Sequence, residues 1–180
     1  TVMIMLHRKR PADIVRAAPK ILQAVPDAHF LLVGDGEAMP DVRRTVQELG
    51  LQDKVTLTGI RRDVPEIMRL LDVFVHPAWA EVLPRTVIQA MATGTPVVAI
   101  DAGALDEAII DGKNGLLVPP KRLDLLADAI LRLLQDLELA QRMGETARQS
   151  VSSAFEVQTM VDEIEAVYED LIKAKGLAYG

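Results

Sequence analysis

Apolar residues along the chain fall into two alternating patterns: short, nearly unbroken aliphatic runs, and longer stretches with apolar positions three and four apart. The runs are Val2–Leu6, His29–Val33, Lys54–Thr58, Asp72–His76, Pro96–Ile100 and Leu116–Val118. Short aliphatic runs bounded by Gly, Pro, Asp or charge read as buried strands. Helical spacing appears between them, at Ile14, Val15, Ala18 and Ile21-Leu22, and again from Pro40 to Leu49, where Gly50 stops it. It recurs at Ile67, Leu70 and Leu71, with Asp63 placed to cap, and at Val87, Ile88, Met91 and Ala92. Pro19 is expected to kink the first helix. After Pro119-Pro120 the spacing is helical at Leu123, Leu126, Ala127, Ile130, Leu133 and Leu134. Two more helices follow, roughly Glu138 to Ser150 and Glu156 to Lys175, the latter apolar at Met160, Val161, Ile164, Val167 and Leu171. Gly176–Gly180 reads as a frayed end.

Strand and helix thus alternate about six times with short connections and no repeat. That pattern predicts an α/β fold, a doubly wound (Rossmann-like), mostly parallel sheet of about six strands. Right-handed crossovers put the loops after the strands along one edge. Those loops are His7–Arg10, Gly34–Glu37, Gly59–Arg62, Pro77–Arg85 and Asp101–Ala104. They hold the small, charged and glycine-rich motifs, so the site is expected on that edge.

Composition narrows the function. A chain of 180 residues suits one domain, and the first strand opens almost at residue 1, which suggests a fragment or excised domain. The chain is 49% hydrophobic but only 3% aromatic, an aliphatic bias that favours parallel strands covered by helices. A net charge of −6 argues against a nucleic-acid partner bound through phosphate neutralisation. No cysteine is present, which excludes disulfides and thiol catalysis. No apolar run is long enough for a transmembrane segment and no basic-then-apolar leader opens the chain, so a cytoplasmic setting is expected.

Two clusters carry candidate chemistry. The stretch Glu81–Ala99 reads as a loop with an acid, a short helix with Pro84 in its first turn, a stop at Gly94 and a buried strand. It places Glu81 and Gln89 at one loop–helix junction, where an acid and an amide can grip a polar ligand. The basic run His7-Arg8-Lys9-Arg10 stands before a helix starting near Pro11, where open α/β sheets bind anions; a solvated basic turn is the alternative. Gly34-Asp35-Gly36 reads as a tight strand-to-helix turn rather than a phosphate cradle, because no third glycine follows at the dinucleotide spacing. His7, His29 and His76 lack metal-ligand spacing and no Asp-x-Asp pair occurs, so no metal site is expected. Glu107 reads equally well as a solvated first-turn acid.

The motifs match a known family in order and spacing. Glu81-Val82-Leu83-Pro84, then Gln89-Ala90-Met91-Ala92, then Gly94-Thr95-Pro96-Val97-Val98 follow its spaced-acid signature. Val33-Gly34-Asp35-Gly36, Thr58-Gly59, Asp72-Val73-Phe74-Val75, Gly103 with Glu107, and Gly112-x-x-Gly115-Leu116-Leu117-Val118 extend the match over nearly the whole chain. On these residues the chain resembles the C-terminal, donor-binding half of a GT-B glycosyltransferase of the retaining family 4 type (glycosyl transferases group 1). The basic cluster and Met143-Gly144-Glu145-x-Ala147-Arg148 are similar to N-acetylglucosaminyl malate synthases.

The resemblance implies specific roles. Lys9 would lie on the diphosphate of a nucleotide-sugar donor and stabilise the leaving nucleotide. Ile4 stands where the family has a companion arginine, so Arg8 or Arg10 would substitute. Glu81 would lie near the donor sugar, and the backbone from Val82 through Leu83 and Pro84 to Arg85 would face sugar and phosphates, with Val82 in place of a family glycine. Gly59, Ile60 and Arg61 would hold the base, and Gly34 and Gly103 count among the donor-binding positions. His76, beside Trp79, would be either a satisfied edge residue or a neighbour of the donor sugar. Gln89 replaces the glutamate that takes both ribose hydroxyls. Charge-assisted bonds contribute roughly 1.5–3 kcal/mol against about 1 for neutral ones, so donor affinity is expected about tenfold lower than with glutamate. The resemblance also implies a UDP-sugar as donor, no cofactor and no metal, and an N-terminal acceptor domain missing from this chain. The isolated domain would then be inactive, and its uncovered docking face would favour a homodimer. A non-catalytic scaffold that has lost donor binding is the alternative, supported by Gln89, Val82 and Ile4.

Overall fold

The computed structural model describes residues 1–154 and 157–175. Strands β1 (Phe30–Val33) and β2 (Val55–Gly59) form one parallel sheet, and β3 (Phe74–His76), β4 (Val97–Ile100) and β5 (Leu116–Val118) form another. Among the described residues seven helices surround them: α1 (Ala12–Ala24), α2 (Met39–Glu48), α3 (Val64–Arg69), α4 (Arg85–Ala92), α5 (Leu123–Gln135), α6 (Leu137–Ala154) and α7 (Val157–Lys175). Short 3-10 turns occupy His7–Lys9 and Leu105–Glu107, the second in place of a helix around Glu107. Register runs Phe30↔Val55 in the first sheet, and Phe74↔Val97 and Val98↔Leu116 in the second.

The count of about six strands is corrected to five among the described residues, because Val2–Leu6 is not a strand. Val2 makes one parallel bridge to Val33, Met3 N–H donates to Val33 O and Met5 N–H to Asp35 O, and Leu6 N–H then turns back onto Ile4 O. Gly34 has φ +129 and donates its N–H to Gly59 O on the β2 side, while Asp35 O still accepts from Met5 N–H, so the contact with the N-terminal segment continues as separate bonds rather than a regular ladder. Ile4 is left 63% exposed. Gly34 and Gly36 are glycines for a packing reason: a Cβ would stand 1.9 Å from Met3 O and 2.6 Å from Met5 O, respectively. The Gly-Asp-Gly turn therefore braces the N-terminal segment.

The core is aliphatic, as the composition requires. Ile14, Val15, Ala18 and Ile21 on α1 meet Phe30 and Leu32 of β1 and Leu126, Ile130 and Leu133 of α5 in one cluster. Phe74, Val97 and Ala99 meet Val87 and Met91 of α4 and Leu105 in a second. Fully burying each of the Val, Leu, Ile, Phe and Met side chains contributes roughly 1.5–3 kcal/mol, which holds the short strands in place. α1 runs without interruption through Pro19. Asp63 occupies the N-cap position of α3, but its carboxylate pairs with Arg61 rather than capping. On α7 the apolar residues Met160, Ile164, Val167 and Leu171 are about half exposed. No helix among the described residues is long and apolar enough to cross a membrane. Glu156 and Gly176–Gly180 lie outside the described residues.

Candidate functional site

The loops after the strands meet along one edge. The 3-10 turn His7–Lys9 lies against two of them: His7 N–H approaches Glu37 Oε1 at 3.4 Å, and an Arg8 guanidinium nitrogen donates to Ala80 O at 3.3 Å. Gly34 N–H reaches Gly59 O, and Ala104 N–H reaches Val82 O. Gly103, with φ +71, lies against the same loop; a Cβ there would stand 1.6 Å from Glu81 O. Among the described residues, no group of three or more His, Asp or Glu side chains is arranged to hold a metal ion.

At the centre are Lys9, His76 and Glu81. β3 ends at His76, whose side chain is fully buried, and the chain returns through Pro77–Ala80 to bring Glu81 back onto it. His76 Nε2 lies 2.9 Å from Glu81 Oε2, and Lys9 Nζ 2.6 Å from Glu81 Oε1. Lys9 is 12% and Glu81 17% exposed, so the pair is largely shielded from water. Burial acts to raise the Glu81 pKa, but the hydrogen bonds from His76 and Lys9 and their positive fields outweigh it and bring it down to about 2. Glu81 is therefore a carboxylate that only accepts, which makes His76 Nε2 the donor. His76 Nδ1 is buried and has no hydrogen-bond partner among the described residues.

Beside this triad lies a second network. Asp13 on α1, 1% exposed, takes two bonds from Arg10 at 2.7 and 3.0 Å and one from Arg16 at 2.8 Å. The Arg10 guanidinium also lies 4.0 Å from the centroid of the Trp79 ring, with Lys121 5.9 Å from it. Arg10 is thus held between a carboxylate and an indole, while Arg8 stays exposed at the edge.

Lys9, Glu81, Arg8, Val82 and Gly103 come together at this edge, and Gly34 and Gly59 adjoin one another beside it. Leu83 packs on the second core cluster, and Pro84 precedes α4 in extended conformation rather than lying in its first turn. Arg85 and Gln89 are exposed on α4, Ile60 is 80% exposed, and Arg61 is paired with Asp63 at 2.6 Å. The sequence reading does not anticipate the bond from His76 to Glu81 or the seat of Arg10 on Asp13. The five-residue interval from His76 to Glu81 and the three-residue intervals from Asp13 to both arginines are the signals it offers.

The model of the family described as glycosyl transferases group 1 matches residues 2–150. The chain belongs to this family. An alpha-D-kanosaminyltransferase of Streptomyces kanamyceticus is 32% identical over 87% of this chain and 41% of its own length. An N-acetyl-alpha-D-glucosaminyl L-malate synthase of Bacillus anthracis is 33% identical over 92% of this chain and 43% of its own. The chain thus spans about two fifths of these relatives. Among solved structures, Anabaena HepE in complex with UDP superposes with a TM-score of 0.88 at 26% identity, over 94% of this chain and 47% of that one. The C-terminal domain of the group 1 glycosyl transferase LpcC of Francisella tularensis superposes with a TM-score of 0.77 at 25% identity, over 84% and 82%. The Rossmann-like GT-B fold and the C-terminal placement implied by the sequence motifs agree with these matches.

Proposed function

We propose that the chain is the donor-binding half of a retaining glycosyltransferase, which transfers a hexose from a UDP-sugar to an acceptor held by a separate N-terminal domain. The observation that carries this reading is the Lys9–Glu81–His76 constellation at the loop edge of the sheet. Lys9 is a shielded ammonium on a short turn, placed to meet a diphosphate and offset the charge that develops on the leaving nucleotide. Shielding makes that interaction stronger than it would be in open water. Glu81, held as a carboxylate, accepts from hydroxyls of the donor sugar, and Arg8 adds positive charge at the rim. HepE, solved with UDP and with UDP-glucose, supports uridine as the base.

One observation favours a scaffold instead: Val82 is 77% exposed, with its side chain on the surface where a donor's approach to the backbone would be closest. Two assays separate the readings. Calorimetric titration of UDP, GDP and ADP should give binding to UDP, and no nucleotide should bind a scaffold. Incubating the chain with UDP-glucose and simple acceptors should give little or no transfer, since the acceptor domain is separate. Robust transfer by this chain alone would overturn the division of labour proposed here.

A further inference from the structure

Glu81 has two partners of different kinds. Lys9 belongs to a short turn and carries the charge a diphosphate attracts, whereas His76 is fully buried at the end of β3. If Lys9 turns to a diphosphate, His76 is the one side-chain partner left to Glu81 among the described residues. A shielded carboxylate left without a partner is costly. We infer that His76 is a positioning residue, the fixed anchor that keeps Glu81 in place and hydrogen-bonded while Lys9 is handed from Glu81 to an anionic ligand. The inference rests on the donor-site reading for the identity of that ligand. The anchoring itself does not depend on it.

The geometry fits the assignment. His76 can act without moving, because β3 is paired with β4 through the register Phe74↔Val97, Val75↔Val98 and His76↔Ala99. Its ring presents one N–H to Glu81 while Nδ1 has no partner among the described residues, so the ring has no competing hydrogen bond to pull it elsewhere. Gly103, pressed onto Glu81 O, fixes the backbone of the same residue from the other side.

Two variants separate anchoring from mere packing. His76→Phe keeps a ring but removes the donor, and His76→Gln carries an N–H to a similar reach. With UDP as the titrant, His76→Phe should weaken binding about tenfold, the worth of one charge-assisted hydrogen bond, and His76→Gln should stay within about threefold of the parent. In a Glu81→Gln background the His76→Phe penalty should vanish, because no carboxylate remains to be stranded. An equal penalty in both backgrounds would mean that His76 only packs, and would overturn the inference.

A second arm needs no nucleotide. Lys9→Met mimics departure of the ammonium, and the Glu81 carboxyl can be titrated by carbon NMR in that variant. It should remain below the ordinary glutamate range in Lys9→Met and in Lys9→Met/His76→Gln, and rise into or above that range in Lys9→Met/His76→Phe. The same Glu81 titration with and without the His76 donor would overturn the anchor role. Absence of UDP binding by the parent chain would sink the donor-site reading, and this titration would still decide the anchor.

Discussion

Lys9 Nζ lies 2.6 Å from Glu81 Oε1, so the cation proposed to meet a diphosphate is already paired with a carboxylate of the same chain. An anionic ligand must compete with Glu81 for it. On the proposed donor-site reading, affinity at this edge is a difference between two ion pairs, in which a diphosphate, with more charge and more acceptor oxygens than one carboxylate, would have the advantage.

The titration of Glu81 sets a pH window. Its carboxyl is held at about 2 in the fold against an ordinary value of 4.5, so it is depressed and the sign is that of a stabilising carboxylate. Above about pH 4.5 it is ionised in both folded and unfolded chains, and its contribution to stability is complete. As pH falls below that value the unfolded chain takes up the proton first, and the contribution is lost by about pH 2. Thermal unfolding between about pH 6 and about pH 2.5 should show a steeper fall for the parent than for Glu81→Gln. Parallel curves would contradict the assignment.

Gly103→Ala should be strongly destabilising. The new Cβ would stand 1.6 Å from Glu81 O, a contact with backbone, at a φ of +71 that L side chains rarely adopt. Overpacking and backbone strain each cost about 1–3 kcal/mol. Together they amount to a loss of about 2–6 kcal/mol, a Tm drop of about 4–24 °C for a chain of this size. The displaced Glu81 should also weaken binding of UDP.

Asp13→Ala removes the carboxylate that holds Arg10 and Arg16. Hydrogen bonds to charged groups contribute about 1.5–3 kcal/mol in net terms, so Tm should fall by several degrees. The single tryptophan reports on the same event. Arg10 lies 4.0 Å from the Trp79 ring centroid, so its release should change Trp79 emission, and an unchanged spectrum would show that Arg10 has another seat.

Gln89→Glu should tighten UDP binding about tenfold through a charge-assisted bond to ribose. Gln89 is exposed, so the substitution should leave Tm nearly unchanged. A calorimetric comparison of the two proteins checks both statements, and equal affinity would remove position 89 from the donor site.

The sheet positions are legible because Val, Leu and Ile runs such as Phe30–Val33 and Val97–Ile100 are bounded by turn residues, and burial fixes their register. Val2–Leu6 has the same composition, yet it makes a single bridge, to Val33, because the φ of +129 at Gly34 interrupts the regular strand backbone beside it. No local pattern records this. The loops of the edge are readable from topology, since parallel crossovers bring them together. The bonds within the edge are not. Arg10 reads as part of either an anion site or a solvated basic turn by its place in a basic cluster, and neither reading names Asp13, three residues further on, which is buried and takes its guanidinium. His76 reads as either a satisfied edge residue or a neighbour of the donor sugar, and only the return of the chain through Pro77–Ala80 sets Glu81 against it. Side-chain pairing across loops depends on paths that composition does not encode.

Calorimetric titration of UDP into the parent chain and into Lys9→Met, side by side, decides whether Lys9 holds the nucleotide. The parent should bind one UDP saturably and the variant should bind it about ten- to hundredfold more weakly, with both proteins folded. Equal affinity for the two, or no binding by a folded parent chain, would contradict that role of Lys9.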